Sequence, residues 1–123
     1  VDRQIIDVRT TTLSVEDLAA LRANLREQRL FRQEQLQQLS SAAPTRADAF
    51  LDRRAAAQTE VRVKLAASAR MVLADVESAL TRMDQGCYGN CDLCRKPITR
   101  ERLMIVPQAR YCTRCQQVRE AGR

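Results

Sequence analysis

Apolar positions recur at helical spacing along two long stretches of the chain, and in a third they are interrupted by turn residues. After Ser14, the leucines Leu18, Leu21, Leu25, Leu36 and Leu39 share one face at intervals of three, four or whole turns. Gln28, Arg32 and Gln35 take the seam positions between them, so the stripe weakens midway, with Leu30 and Phe31 on its flanks. Further on, Leu65, Ala69, Val72, Val76, Ala79 and Met83 follow a 4-3-4-3-4 rhythm, the pattern of a helix packed along a narrow coiled-coil seam. Residues 1–12 alternate only weakly through Ile5, Ile6 and Val8, and a short helix, an edge strand and a disordered leader all fit them.

Breakers sharpen the picture. No Gly or Pro occurs before Pro44, none occurs between Thr45 and Gln85, and all the others lie between Gly86 and Gly122. Ser14, with Asp17 three residues on, predicts a capped helix start, and Thr45 with Asp48 repeats the signal. The Ser40–Pro44 stretch has turn composition, and Pro44 disfavours helix at Ala43. A helix from Thr45 to Met83 is about 58 Å long at ~1.5 Å per residue. Two such helices joined by so short a turn run antiparallel, and their length favours a projecting hairpin over an ordinary bundle. The expected fold is mainly α: a long antiparallel coiled-coil hairpin with a small C-terminal four-cysteine module. Its expected parts are a leader (1–13), the hairpin (14–85, tip about 40–55) and the module (86–123) with a short C-terminal helix.

Composition then narrows the function classes. The 123 residues are 45% hydrophobic but only 3% aromatic, lack Trp and draw heavily on Ala, so one thick globular core is not expected. There is no His, which excludes His-based catalysis. No apolar run approaches the ~18–20 residues of a membrane span, and no signal peptide is visible; the expected location is the cytoplasm. The net charge of +6, carried by Arg except for Lys64 and Lys96, suggests an acidic partner, though it is modest for a DNA binder.

The cysteines carry the chemistry. Cys91–Cys94 and Cys112–Cys115 form two CxxC pairs 17 residues apart. Two cysteines three positions apart on a tight turn aim both sulfurs at one ion, and two such knuckles complete a tetrahedron with Zn–S distances of ~2.3 Å. Four thiolates close the coordination shell, so one structural Zn²⁺ is expected and no enzyme activity. The segment between the pairs has room for a short hairpin carrying Ile98, Leu103, Ile105 and Val106. A redox CxxC needs a βαβ setting that the helical pattern does not offer. Cys87, the fifth thiol, is a bystander, a spare ligand or a redox-sensitive group. Arg95, Lys96, Arg100 and Arg102 crowd the module and are either a solvated face or a docking surface for an acidic partner.

The run Gly86-Cys87-Tyr88-Gly89-Asn90-Cys91-Asp92-Leu93-Cys94, followed by Ile98, Arg102-Leu103, Pro107 and Cys112-Thr113-Arg114-Cys115, resembles the DksA/TraR zinc-finger family of bacterial RNA polymerase regulators. The preceding hairpin pattern extends the resemblance over most of the chain after Ser14. The resemblance implies a regulator that binds RNA polymerase and inserts its hairpin tip into the secondary channel to alter initiation, without reading promoter sequence itself. Family tips carry two Asp at a spacing of three with an Ala shortly after; here Asp48 and Asp52 stand four apart, with Ala55 beyond. On a helix both spacings return to one face. Arg53 and Arg54, beside Asp52, are placed to meet acidic channel residues, and Arg95, Lys96, Arg100 and Arg102 to dock on the polymerase. Relatives that bind the alarmone ppGpp use basic residues at positions that fall here on Asp75 and Gln116, so weak or absent ppGpp cooperation is expected. Two other readings remain: a DNA-binding finger, since the CxxC-x17-CxxC spacing is similar to GATA-type fingers, and a thiol-based redox sensor using Cys87.

Overall fold

The computed structural model describes residues 13–41 and 53–122. Within them the chain forms helices α1 (Val15–Ser41), α2 (Arg53–Gln85), α3 (Arg100–Ile105) and α4 (Thr113–Ala121). The chain divides into two compact units, one drawn from Val1–Glu27 and Asp75–Arg123, the other from Gln28–Ala74, and α1 and α2 contribute to both.

In the first unit, α1 starts where its capping residues place it. The Asp17 amide donates to Ser14 Oγ at 3.0 Å and the Ser14 amide to Asp17 Oδ2 at 3.1 Å, a reciprocal capping box. Leu21 and Leu25, 2% and 0% exposed, join Val76, Ala79 and Leu80 of α2 in the core. Arg22 meets Asp84 at 2.8 Å, so the start of α1 lies beside the end of α2, as an antiparallel pair requires. At that end the Gly86 amide donates to the Met83 carbonyl and the Cys87 amide to the Arg82 carbonyl. This is a Schellman cap, which needs a left-handed residue; Gly86, at φ 79°, supplies it without a Cβ penalty.

Past Gly86 the same unit continues as short turns and two short helices. A single antiparallel bridge pairs Asn90 with Pro97, and Thr99 caps α3 by accepting the Arg102 amide at 3.2 Å. The hairpin expected between the cysteine pairs is thus reduced to that bridge, and Arg100–Ile105 is helical because a capped Arg-Glu-Arg-Leu-Met run favours helix. Ile98 and Leu103 are buried as expected, Val106 is half-buried, and Ile105 is 80% exposed. Tyr88 is buried and its hydroxyl donates to the Pro107 carbonyl at 2.7 Å, closing the loop between α2 and α4 over the core.

In the second unit, Leu36 and Leu39 of α1 lie beside the Thr59–Ala66 stretch of α2, again antiparallel. Ala69 is buried, but Leu30, Phe31, Val61 and Val63 are more than half exposed. Leu65, assigned by its rhythm to the seam, is 46% exposed. It lies beside Leu39 of α1, and a heptad stripe on a straight helix drifts by ~20° per repeat, which turns Leu65 partly outward. Arg32 turns to Gln35 Oε1 at 2.8 Å and covers the Phe31 ring, its guanidinium 5.3 Å from the centroid. α1 continues through Ser41 into the stretch of turn composition, because Pro44 restricts only the residue before it. Residues 1–12, Pro44, and the start signal at Thr45 and Asp48 lie outside the described residues.

Candidate metal centre

Four sulfurs converge in the first unit. Those of Cys91, Cys94, Cys112 and Cys115 all lie within 4.8 Å of one another, and Cys94 Sγ and Cys112 Sγ are 3.8 Å apart. A tetrahedron with ~2.3 Å arms has edges of about 3.8 Å, so the donor set is already at the spacing of a Zn²⁺ shell. Local backbone makes this arrangement. The Cys91 amide donates to the Lys96 carbonyl and the Arg95 amide to the Cys91 carbonyl, folding the first knuckle around Arg95, which takes φ 65°. The Asp92 amide donates to the Arg110 carbonyl at 2.8 Å and so brings the second knuckle to the first. Cys112 is also the N-cap of α4, its sulfur accepting the Cys115 amide at 3.4 Å.

The electrostatics of the four thiols are uneven. Burial pushes the Cys91 thiol up, but the amides of Cys94, Cys112 and Leu93 and the Cys115 thiol outweigh it and hold Cys91 at about 6. Cys115 is driven up to about 12, chiefly by its hydrogen bond with Cys112 and by burial. One thiolate is thus favoured at Cys91, and four so close together require a cation. When bound, zinc supplies that charge and a closed, structural shell with no position for a reacting water. The site fits one structural Zn²⁺ held by Cys91, Cys94, Cys112 and Cys115.

Cys87 stands outside this group. It is exposed and its thiol donates to Gln85 Oε1 at 3.8 Å. Of the four basic residues assigned to docking, Arg95 and Lys96 are exposed. Arg102 donates its Nε to the Tyr111 carbonyl at 3.0 Å. Arg100 grips Asp17 with both Nε (2.9 Å) and Nη2 (3.0 Å), a bidentate pair. That grip was not legible in the sequence, since the two residues are far apart along the chain. Asp48 and Asp52 lie outside the described residues, as do the side chains of Arg53 and Ala55, while Arg54 is exposed in the first turn of α2. Asp75 and Gln116 line one cavity with Arg102, Tyr111 and Glu120. There Arg110 donates its Nε to Asp75 Oδ1 at 2.7 Å and Gln116 donates to Glu120 at 2.8 Å.

Asp17 is held at about 2, first by the Arg100 guanidinium and then by the Ser14 amide. Because its carboxyl is depressed in the folded chain, its contribution is complete above the ordinary carboxylate range and is lost as the pH falls from about 4 toward 2. Melting profiles across that interval should show wild type losing stability more steeply than Asp17→Asn. Parallel curves for the two proteins would remove Asp17 from the acid response.

Residues 86–121 match the family model described as the prokaryotic dksA/traR C4-type zinc finger. This segment is similar to the DksA/TraR zinc finger. An uncharacterized protein of Aquifex aeolicus (strain VF5) is 36% identical over 52 residues, a match that covers 41% of this chain and 36% of that protein. The chain therefore spans only about a third of that curated relative. Among solved structures, transcription factor DksA2 from Pseudomonas aeruginosa shares the fold, with TM-score 0.74 and 19% identity over 98% of this chain and 97% of that one. The segment that matches the zinc finger belongs to a mainly helical chain in which α1 and α2 run antiparallel within each unit. No helix among the described residues is long and apolar enough to cross a membrane.

Proposed function

We propose that this protein is a cytoplasmic transcription regulator, not an enzyme, that binds RNA polymerase directly and inserts its hairpin tip, about residues 40–55, into the secondary channel to modulate initiation. The observation that carries this reading is the family of the zinc finger at residues 86–121. The fold it shares with a protein described as a transcription factor supports it. In this reading Asp48 and Asp52 act in the channel, with Arg53, Arg54 and Ala55 beside them. The finger helps to dock the protein, and the exposed Arg95 and Lys96 suit that task better than Arg100 and Arg102, which are committed internally.

Co-purification with core RNA polymerase tests the reading. The Asp48→Asn/Asp52→Asn double variant should retain binding while transcription in vitro changes at responsive promoters. Wild-type protein that fails to co-purify would refute the proposal; binding lost only in the double variant would make the tip an anchor instead of an effector.

The same reading gives the alarmone ppGpp little part in the protein's action. Asp75 and Gln116 are not cationic, and Arg110 is neutralised by Asp75 at 2.7 Å, so the cavity they line is a poor host for a polyanion. Titration of ppGpp onto the protein–polymerase complex should detect no binding beyond that of polymerase alone. Tight binding that depends on this protein would overturn that expectation.

A further inference from the structure

Ala109, Arg110 and Tyr111 lead into the second cysteine pair and belong to no helix or strand, so their carbonyls have no ladder of their own to join. Three separate parts of the first unit supply the donors. Arg82 Nη2 of α2 donates to the Ala109 carbonyl at 3.4 Å, and the Asp92 amide of the first knuckle donates to that of Arg110 at 2.8 Å. Arg102 Nε of α3 donates to the Tyr111 carbonyl at 3.0 Å. This last contact lies next to a metal ligand, because Tyr111 directly precedes Cys112. The peptide between them is planar, so a donor that holds the Tyr111 carbonyl also holds the Cys112 amide and limits how the cysteine can swing. Cys112 in turn caps α4 and accepts the Cys115 amide on its sulfur, so both ligands of that pair depend on one fixed plane.

Arg102 is itself firmly anchored. Its amide donates to Thr99 Oγ1 at 3.2 Å, its carbonyl accepts the Val106 amide at 2.7 Å, and its neighbour Leu103 is fully buried. The half-buried guanidinium therefore leaves α3 from a fixed origin. We infer that Arg102 is a positioning residue for the zinc centre, orienting Cys112 and, through the start of α4, Cys115, without touching the ion. Groups that orient metal ligands from outside the shell are typically worth ~10–100-fold in metal affinity. Arg82 plays the same part more weakly, since its bond is longer and Ala109 stands three residues before the ligand. The charge of Arg102 thus serves the interior of the finger.

The test uses the full chain without any partner, so that docking plays no part in it. In competition with a chromogenic chelator, Arg102→Met should hold zinc about tenfold less tightly than wild type, since Met keeps an apolar stem and removes the donor. Cobalt(II) placed at the four sulfurs should show altered d–d absorption in that variant, the signature of changed ligand geometry. Arg102→Lys, which restores a charged donor, should recover most of both losses, and Arg82→Met should show a smaller effect than Arg102→Met. Circular dichroism checks folding; should Arg102→Met fail to fold, Arg102→Gln, whose amide is too short to reach Tyr111, replaces it with the same expectation. Val76→Ala is the control for stability lost in the core alone, and it should melt earlier yet keep the wild-type cobalt spectrum. Zinc affinity and a cobalt spectrum unchanged in Arg102→Met overturn the inference. The same spectral change and the same loss of affinity in Val76→Ala also overturn it, by making the effect one of general stability.

Discussion

Removing the metal, by a strong chelator or through Cys91→Ser, is expected to unfold the finger and not merely loosen it. Turns and two short helices between Gly86 and Ala121 bury few large side chains, Tyr88, Ile98 and Leu103 among them. Apparent binding energies of structural zinc in isolated fingers run to ~10–16 kcal/mol, which equals or exceeds the ~5–15 kcal/mol that holds a whole domain folded. The loss should appear in far-UV circular dichroism as lost helix from α3 and α4, because Cys112 both caps α4 and belongs to the sulfur cluster. Cys87→Ser serves as the control, since its sulfur stands outside the cluster, and that variant should keep one zinc per chain. Helicity and melting that survive complete removal of the metal would show that the core alone suffices. A Cys87→Ser protein that loses its zinc would place the fifth thiol in the shell.

Leu25→Ala should destabilise the chain by about 3–5 kcal/mol, the range of large cavities in well-packed cores. Leu25 has no exposed surface, and the neighbouring helix ends are already tied by Arg22 and Asp84, so collapse around the void is limited. Leu65→Ala, deleting the same atoms from a side chain 46% exposed, should cost less than about 1.5 kcal/mol. Urea unfolding monitored by circular dichroism measures both. Equal losses at the two sites would mean that the seam continues to Leu65 in solution.

That contrast marks where the sequence was a good guide. The helices, the Ser14 cap and the four ligating cysteines were readable because each rests on local chemistry: spacing along a helix, a hydroxyl three residues from an amide, two thiols on one turn. The stripe from Ala69 to Met83 was readable for the same reason. Leu65 lies beside Leu39 of α1, as its rhythm predicts, but stays 46% exposed, because burial depends on what stands opposite and periodicity along one helix contains no information about its neighbour. The segment after Pro97 was misjudged because a capped six-residue helix has too few turns to show a period. Asp17–Arg100 and Asp75–Arg110 were invisible for a third reason: they join residues distant in sequence, and charge patterns alone name no pairs.

Those two ion pairs and the Arg82–Ala109 hydrogen bond reach from α1 and α2 into the segment that carries the cysteines. A peptide excised at Gly86 would retain every sulfur needed to chelate its ion, yet it would be severed from Asp17, Asp75 and Arg82, the outside buttresses of its loops. The signature that identifies the finger is therefore shorter than the stretch of polypeptide that must cooperate to keep it in shape.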